Sequence, residues 1–174
     1  VASVDSAVED VHFRRGWLTG WEIGYRAAAA ALSDLAAMGA SPVGMLLAIA
    51  IPDAWRPDLL EIADGVGEVA GRWHAPILGG NTTRGRELSI TTTVLGSVYG
   101  PLTRDAVKPG HRLYVTGRLG ASGAALRALL ANAEPDPRHR EKFARPQPRV
   151  AEARWLAGEG ALAAIDVSDG LVAD

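Results

Sequence analysis

Acidic and small polar residues recur in four short segments of the sequence, and these are the residues best able to do chemistry. The segments span residues 4–12, 31–39, 79–83 and 165–170. Carboxylate, hydroxyl and amide oxygens are the ligands that Mg²⁺ prefers, and the chain has no cysteine and only four histidines. The four segments therefore indicate an oxygen-ligated Mg²⁺ site. Its candidate acids are Asp5, Glu9, Asp10, Asp34, Asp166 and Asp169.

The same acids have a simpler structural interpretation, which composition alone favours. Asp5 and Asp10 suit turn-capping positions, and Asp34 can neutralise a helix end. Gly79-Gly80 could bring backbone amides close to a phosphate because glycine allows close approach, but an ordinary loop is the simpler interpretation. The patterns of a P-loop and of a dinucleotide-binding loop are both absent. Metal binding and local structure both stay open at this point.

Three further side chains are weaker candidates. His12 lies in a polar loop beside several acids, where an exposed loop histidine is an equally good interpretation. Arg104 could bind a phosphate, or it could simply be a solvent-exposed residue of a turn. Ser168 does not sit in a nucleophile elbow, because no G-x-S-x-G surrounds it. None of the three identifies a reaction by itself.

Charge and hydropathy exclude some classes of partner. The net charge of −2 provides no basic surface for nucleic acid, so nucleic-acid binding is disfavoured. The longest apolar runs, residues 27–32 and 43–51, are shorter than the roughly 18–20 residues that span a bilayer. We therefore expect no membrane partner. The absence of cysteine suits a reducing cytoplasm, which is the location we expect.

The first half of the chain alternates predicted strands and helices that must position these side chains. A strand over 1–4 is followed by a capping box at Thr19 and Glu22, which opens a helix that runs to about Met38 and ends at Gly39. Its many alanines predict close packing against a sheet. The helix therefore carries Asp34 in its last turns.

The next segments predict a buried strand, a helix and two more strands. Residues 43–51 are apolar throughout and bounded by prolines, which favours a buried strand. A helix is predicted over 57–73, with Leu59, Ala63, Val66 and Ala70 along one face. A short strand is predicted to end at Gly79-Gly80. The apolar alternation within 88–98 indicates a half-buried strand.

A polar turn over 103–110 is the predicted domain boundary, giving domains of 1–107 and 108–174. The second part predicts a strand over 112–116, a helix over 122–131 and a loop over 132–148. A helix over 149–157 and a strand over 161–167 follow. This order points to an α+β fold rather than a doubly wound sheet. The sequence starts without Met and stops where a helix should begin, so we expect a fragment of a longer protein.

Six motifs in a fixed order give the chain a resemblance to a known family. The motifs are Asp5-Ser-Ala-Val-Glu-Asp-Val-His-Phe13, Ser33-Asp-Leu-Ala-Ala-Met-Gly-Ala40, Gly79-Gly-Asn-Thr-Thr83, Arg104 before Val107-Lys-Pro-Gly110, Tyr114-Val-Thr-Gly117 and Ile165-Asp-Val-Ser-Asp-Gly-Leu171. Together they resemble the thiamine-monophosphate kinases. This family belongs to an ATP-using superfamily with aminoimidazole ribonucleotide synthetase, selenophosphate synthetase and a hydrogenase maturation factor. The V-E-x-V-H-F block is the part most specific to the kinases.

The resemblance implies a two-domain α+β architecture of the aminoimidazole ribonucleotide synthetase type. The N-terminal domain, 1–107, would bind ATP and form a homodimer whose edge strands complete a β-barrel flanked by helices. Strand 43–51 would be central to that barrel. The C-terminal α+β domain, 108–174, would be incomplete.

The resemblance also implies a reaction, the ATP-dependent phosphorylation of thiamine monophosphate to thiamine diphosphate by direct in-line transfer. Several Mg²⁺ ions would neutralise the phosphates, and no residue would act as a covalent intermediate. The implied metal ligands are Ser3, Asp5, Asp34, Asn81, Asp166 and Asp169. The implied ATP contacts are Gly80, Asn81, Arg104 and Ser168, and His12 would contact the thiamine substrate.

The sequence departs from the family pattern in two places, and two alternative functions stay open. Asn81 stands where the family usually has aspartate, which removes one negative charge. The family's upstream Gly-Asp-Asp segment would precede Val1, so we expect this fragment alone to be inactive. One alternative is another ATP-dependent enzyme of the superfamily. The other is a degenerate, non-catalytic nucleotide-binding or dimerisation module.

Overall fold

The computed structural model describes residues 1–174, and its helices and strands alternate along the first half of the chain. The strands are β1 Ala2–Val8, β2 Ser41–Ile51, β3 Ile77–Arg84 and β4 Ser89–Ser97. The helices are α1 Gly20–Ala37, α2 Leu59–Arg72, α3 Ala121–Leu130, α4 Pro137–Ala144 and α5 Val150–Gly158. Short 3₁₀ turns cover Asp53–Asp58 and Arg104–Ala106. No helix is both long and apolar enough to cross a membrane.

The four strands form one mixed sheet in the order β1-β4-β2-β3. β4 pairs antiparallel with both β1 and β2, whereas β2 and β3 are parallel. A parallel pair needs a crossover connection, and α2 supplies it. The α+β prediction is therefore confirmed. The sheet is open, with β1 and β3 at its edges, so the chain by itself does not close a barrel.

Helix α1 begins and ends as its sequence predicts. The Thr19 hydroxyl accepts from the Glu22 amide at 3.2 Å, and the Glu22 carboxylate accepts from the Thr19 amide at 3.0 Å. Each side chain thus satisfies an otherwise unpaired backbone donor. Gly39 follows the helix with φ +68°, a conformation that favours glycine.

The small residues of α1 allow close contact with α2 as well as with the sheet. A Cβ added at Gly24 would overlap the Ile62 carbonyl, and one added at Gly65 would overlap the Trp21 carbonyl. The two helix backbones therefore touch at this crossing. The predicted apolar face of α2 is partly wrong, because Ile62, Val66 and Val69 are buried while Ala63 is exposed.

The two inner strands cover the core to different degrees. The predicted alternation of β4 is confirmed, since Ile90, Thr92 and Val94 are fully buried and the residues between them are half-exposed. β2 was predicted to be a buried strand, and this is only half right. Met45 is buried beneath the helices, but Leu46 on the opposite face is 40% exposed because no layer of this chain covers that side.

The Gly79-Gly80 pair lies inside β3 and not at the end of a strand as predicted. Pairing with β2 carries the strand on to Arg84, with Gly80 opposite Leu47. A Cβ at Gly80 would overlap the Leu47 carbonyl, so the glycine permits close strand pairing. β1 is likewise longer than predicted, because β4 pairs with it as far as Val8.

The second part of the chain departs most from its prediction. Helices α3 and α5 lie close to their predicted positions, but the predicted loop 132–148 contains α4. The predicted strands 112–116 and 161–167 do not form, because no other segment of the chain pairs with them. A strand needs a hydrogen-bonded neighbour, whatever its local propensity. The boundary after residue 107 stays a prediction.

Helix α4 is fixed to α1 through two arginines. Arg140 donates to both carboxylate oxygens of Glu22, at 2.6 and 2.8 Å. Arg26 donates to the Phe143 carbonyl and lies over the Phe143 ring, 4.4 Å from its centroid. Phe143 is itself 2% exposed. These contacts join the second part of the chain to the helices above the sheet.

Candidate functional site

A cleft of about 730 Å³ opens where the start of β1 meets the last turns of α1. Residues 102–104 and the last eleven residues of the chain close its other sides. Six of the residues predicted from the motifs line or reach this cleft, and they are Ser3, Asp34, Arg104, Asp166, Ser168 and Asp169. Two of the four acidic segments, 31–39 and 165–170, therefore meet in the cleft together with Ser3 and Arg104, whereas 4–12 and 79–83 contribute no lining residue.

Asp34 is positioned by the helix and oriented by the neighbouring strand. The Ser3 hydroxyl donates to Asp34 Oδ2 at 2.5 Å. Ser3 reaches the helix because it pairs opposite Val94, whose side chain is buried on the helix-facing side of the sheet. A hydrogen bond to a carboxylate is stronger than one between neutral groups, so this contact fixes the acid in one direction.

Asp166 shares the cleft with Asp34, and the Asp34 carboxylate disfavours the charged form of Asp166. Burial raises the pKa of the Asp166 carboxyl, and the nearby Asp34 carboxylate raises it further. The Ser33 side chain opposes part of this effect. A pair of carboxylates held close together in a partly buried cleft provides a site that favours a cation.

The loop that carries Ser168 and Asp169 is folded around one carboxylate. The backbone amides of Ser168, Asp169 and Gly170 donate to Asp174 Oδ2 at 2.9, 3.1 and 3.0 Å. Asp174 also lines the cleft. Sequence reasoning missed this residue, although an aspartate four positions after Gly170 was a signal that the loop could close on itself.

Arg104 supplies the positive side of the cleft. Its segment is held against α1, because the Leu102 amide donates to the Met38 carbonyl at 3.2 Å. The Arg104 side chain is exposed and has no salt-bridge partner within 4 Å, so it is available to an anion in the cleft.

The remaining predicted site residues do not line this cleft. Asp5 accepts from the Ser6 amide at 2.7 Å. Burial lowers the pKa of Arg26, and the charge of the Asp5 carboxylate opposes that effect. His12 accepts from the Val8 amide through Nδ1 at 3.1 Å. Gly80 and Asn81 lie on the exposed edge strand β3.

The donor set fits Mg²⁺ in type. Ser3, Asp34, Asp166 and Asp169 offer only oxygen ligands, which suits a hard cation. No three aspartate, glutamate, histidine or cysteine side chains converge closely enough to hold one ion by themselves. Mg²⁺ usually keeps several waters and substrate phosphates as ligands, so it needs only one or two carboxylates from the protein. Asp34 and Asp166 can supply these two.

Known proteins match the chain along its whole length. The thiamine-monophosphate kinase of Bacillus subtilis is 35% identical over 186 residues, an overlap that includes all of this chain and 57% of that protein. The chain thus spans a little more than half the length of this relative. The resemblance drawn from the motifs is confirmed.

Solved structures give the same result for the fold. The thiamine-monophosphate kinase of Stenotrophomonas maltophilia K279a matches with a TM-score of 0.91 and 36% identity, covering 100% of this chain and 58% of that one. A structure of AaThiL complexed with AMPPCP and TMP matches with a TM-score of 0.92 and 28% identity, covering 99% and 57%.

A protein-family model also matches the first part of the chain. The model described as "AIR synthase related protein, N-terminal domain" matches residues 1–98, more than half of the 174 residues. The chain therefore belongs to the AIR synthase related protein family, through that family's N-terminal domain.

Proposed function

We propose that the full-length protein phosphorylates thiamine monophosphate to thiamine diphosphate, with ATP as the phosphoryl donor. The observation that carries the proposal is the convergence of Asp34, Asp166 and Ser168 in one cleft of a fold that matches AaThiL complexed with AMPPCP and TMP. AMPPCP is an ATP analogue, so that complex pairs a nucleotide with a second phosphate compound.

The acidic and basic side chains of the cleft would bind different parts of the substrate complex. Asp34, Asp166 and Asp169, with Ser3, would hold Mg²⁺, which neutralises polyphosphate charge when bound. Arg104 would meet a phosphate directly, and Ser168 would donate to the nucleotide. Orienting two phosphates in line is enough for this reaction, so no residue of the chain has to form a covalent intermediate.

The residues outside the cleft complete the proposal. Asp5 and Asn81 would contribute further metal ligands, Gly80 and Asn81 would contact ATP, and His12 would contact the thiamine substrate. Support for this is their place in motifs shared with the kinases, because these four positions lie apart from the cleft in this chain. A cytoplasmic location stays a prediction.

A homodimer is the quaternary state that we propose. Leu46, Val4 and Thr93 form one row across the open face of the sheet, where Val4 is 62% and Leu46 40% exposed. A second copy laid against this face would bury the apolar side chains and join the two sheets towards a closed barrel.

The test is an assay of the full-length protein with ATP, Mg²⁺ and thiamine monophosphate, measuring thiamine diphosphate. Asp34→Asn should lower kcat by about 100-fold or more, because an ionised ligand is lost at the centre of the cleft. Asp64→Asn, an exposed acid of α2, is the matched control and should retain activity.

Three results would count against the proposal. Turnover of an aminoimidazole precursor, with none of thiamine monophosphate, would assign the protein to another activity of the superfamily. ATP binding without transfer would indicate a non-catalytic module. An Asp34→Asn variant as active as the wild type would remove the role given to that residue. The 174-residue chain alone should give no product.

A further inference from the structure

Residues from the last segment of the chain, 168–174, line one side of the cleft. Backbone amides of this segment form a small anion site that the Asp174 carboxylate occupies. Three consecutive amides, those of Ser168, Asp169 and Gly170, point at the same oxygen, Asp174 Oδ2, over 2.9–3.1 Å. Successive N–H groups that converge in this way form a concave site for negative charge. One carboxylate oxygen therefore satisfies three backbone donors.

The backbone of the same segment also forms a hydrogen-bonded turn. The Gly170 carbonyl accepts from the amides of Ala173 and Asp174, at 2.8 and 3.0 Å. Gly170 has φ +123°, a conformation that residues with a Cβ rarely adopt. The chain thus turns sharply at Gly170 and returns the Asp174 side chain to the amides that precede the turn.

Little else holds residues 168–170. Residues 161–170 belong to no helix or strand, and Ser168 and Asp169 are exposed. The amides of Ser168, Asp169 and Gly170 have no backbone acceptor, so the Asp174 carboxylate is their sole hydrogen-bond partner in the chain. Bonds to an ionised acceptor are about twice as strong as neutral ones, so this carboxylate is a strong acceptor for the three amides.

The loop carries three of the residues that converge in the cleft. Asp166, Ser168 and Asp169 all line it, and Asp174 lines it from the other end of the same segment. A change in the backbone at 168–170 would move these side chains together. We propose that Asp174 is a positioning residue, whose carboxylate holds the 168–170 amides in place and so orients the loop towards the cleft.

The ordering of the loop can be tested without any ligand. Amide hydrogen exchange at residues 168–170 would be measured in the full-length protein and in Asp174→Ala, Asp174→Asn and Glu159→Ala, the last replacing an exposed acid outside the cleft as a control. Asp174→Ala should speed exchange of these amides by about tenfold or more, with α1 unchanged. Asp174→Asn keeps an oxygen acceptor without charge and should be intermediate.

The consequence for the nucleotide rests on the proposed function and has its own readout. In the kinase assay, Asp174→Ala should raise the KM for ATP by about tenfold and leave the KM for thiamine monophosphate near its wild-type value. Equal changes in both KM values would contradict a role specific to this loop.

Hydrogen exchange tests the role of Asp174, and the kinase assay tests the proposed function. Wild-type exchange rates at residues 168–170 in Asp174→Ala would overturn the positioning role, whether or not the protein is a kinase. Absence of kinase activity in the wild type would refute the proposed function, while faster exchange in Asp174→Ala would still support the role of Asp174 in ordering the loop.

Discussion

Asp34 and Asp166 hold two negative charges in one partly buried cleft, an arrangement that costs stability when no cation is bound. Burial raises the pKa of Asp166 and the Asp34 carboxylate adds to this effect. Structural acids are usually paired with a cation or hydrogen-bonded, and here only Ser3 donates to Asp34. At the scale of single residues, this unfavourable pair is the clearest sign of a functional site.

The pKa of Asp166 predicts how the stability of the protein depends on pH without Mg²⁺. A carboxyl whose pKa is raised on folding binds its proton more tightly in the folded state, so its contribution to stability falls as the pH rises through that pKa. Asp166→Asn should therefore raise the thermal unfolding midpoint near pH 7, with the difference shrinking towards pH 3.

The control for this pH series is Asp64→Asn, measured over the same range. A midpoint for Asp166→Asn below that of the wild type at pH 7 would contradict the repulsion between the two acids. Addition of Mg²⁺ should stabilise the wild type more than Asp166→Asn, since the metal neutralises the pair.

At the scale of elements, the site depends on how α1 is held. Glycines at its crossing with α2 let the two backbones touch, and α4 is attached through Glu22 and Arg26. Asp34 lies in the last turns of the same helix, so a shift of α1 would carry Asp34 away from Ser3. Stability and site geometry are thus linked through one element.

Gly24→Ala should destabilise the protein strongly. The new methyl group would overlap the Ile62 carbonyl, which is backbone and cannot rotate away. Forcing the helices apart should cost about 2–4 kcal/mol in the free energy of unfolding, measured by urea titration.

Gly67→Ala, in α2, is the matched control for Gly24→Ala. Nothing lies within 4 Å of the added Cβ, so this helix position should gain about 0.5–1 kcal/mol from the better helix former. Equal stability of the two variants would show that the backbones of α1 and α2 do not touch at Gly24.

The contact between α1 and α4 predicts a second pH effect, opposite in sign to that of Asp166. Burial raises the pKa of Glu22, but the hydrogen bonds from Arg140 and from the Thr19 amide outweigh burial and lower it below its ordinary value of 4.5. A lowered acid pKa stabilises the fold above the unfolded pKa, and this contribution is lost as the pH falls through the folded value.

Glu22→Gln should cost about 1–2 kcal/mol at pH 7, because a charge-assisted pair is replaced by weaker bonds. The cost should be nearly unchanged when urea unfolding is repeated at pH 5, which lies above both pKa values, and should shrink at pH 3. Glu134→Gln, an exposed loop acid, is the control and should have little effect at any pH. A constant difference across the series would mean that the charge of Glu22 is not what holds α4.

At the scale of the whole molecule, the open face of the sheet remains uncovered by the chain itself. Val4 and Leu46 are exposed there, while the opposite face is buried under α1 and α2. Exposed apolar side chains in a row favour an interface. The homodimer proposed above would cover this face with a second copy.

Leu46→Glu should weaken that dimer, because it places an unpaired charge in the interface. The dissociation constant from analytical ultracentrifugation of the full-length protein should rise by about tenfold or more. Leu60→Glu changes a leucine on α2 that is 77% exposed and should leave the dimer intact. A protein that is monomeric before any substitution, or a dimer that tolerates Leu46→Glu, would refute the proposed interface.

The sequence by itself determined the features that depend on neighbouring residues. The capping box at Thr19 and Glu22, the helix end at Gly39 and the alternation around Ile90 were all predicted correctly. Each reflects interactions within a few residues, such as a side chain that meets the next turn or a pleat that alternates two faces. The acid-bearing motifs likewise indicated the family, and they include Asp34, Asp166 and Asp169, which line the cleft.

Only the tertiary structure decided which segments pair and which acids meet. β3 continues through Gly80 because β2 lies beside it, whereas residues 112–116 and 161–167 have no partner and stay irregular despite similar propensity. The cleft likewise gathers Asp34 and Asp166 but does not include Asp5. Strand pairing and charge clustering are contacts between residues distant in sequence, which no local pattern specifies.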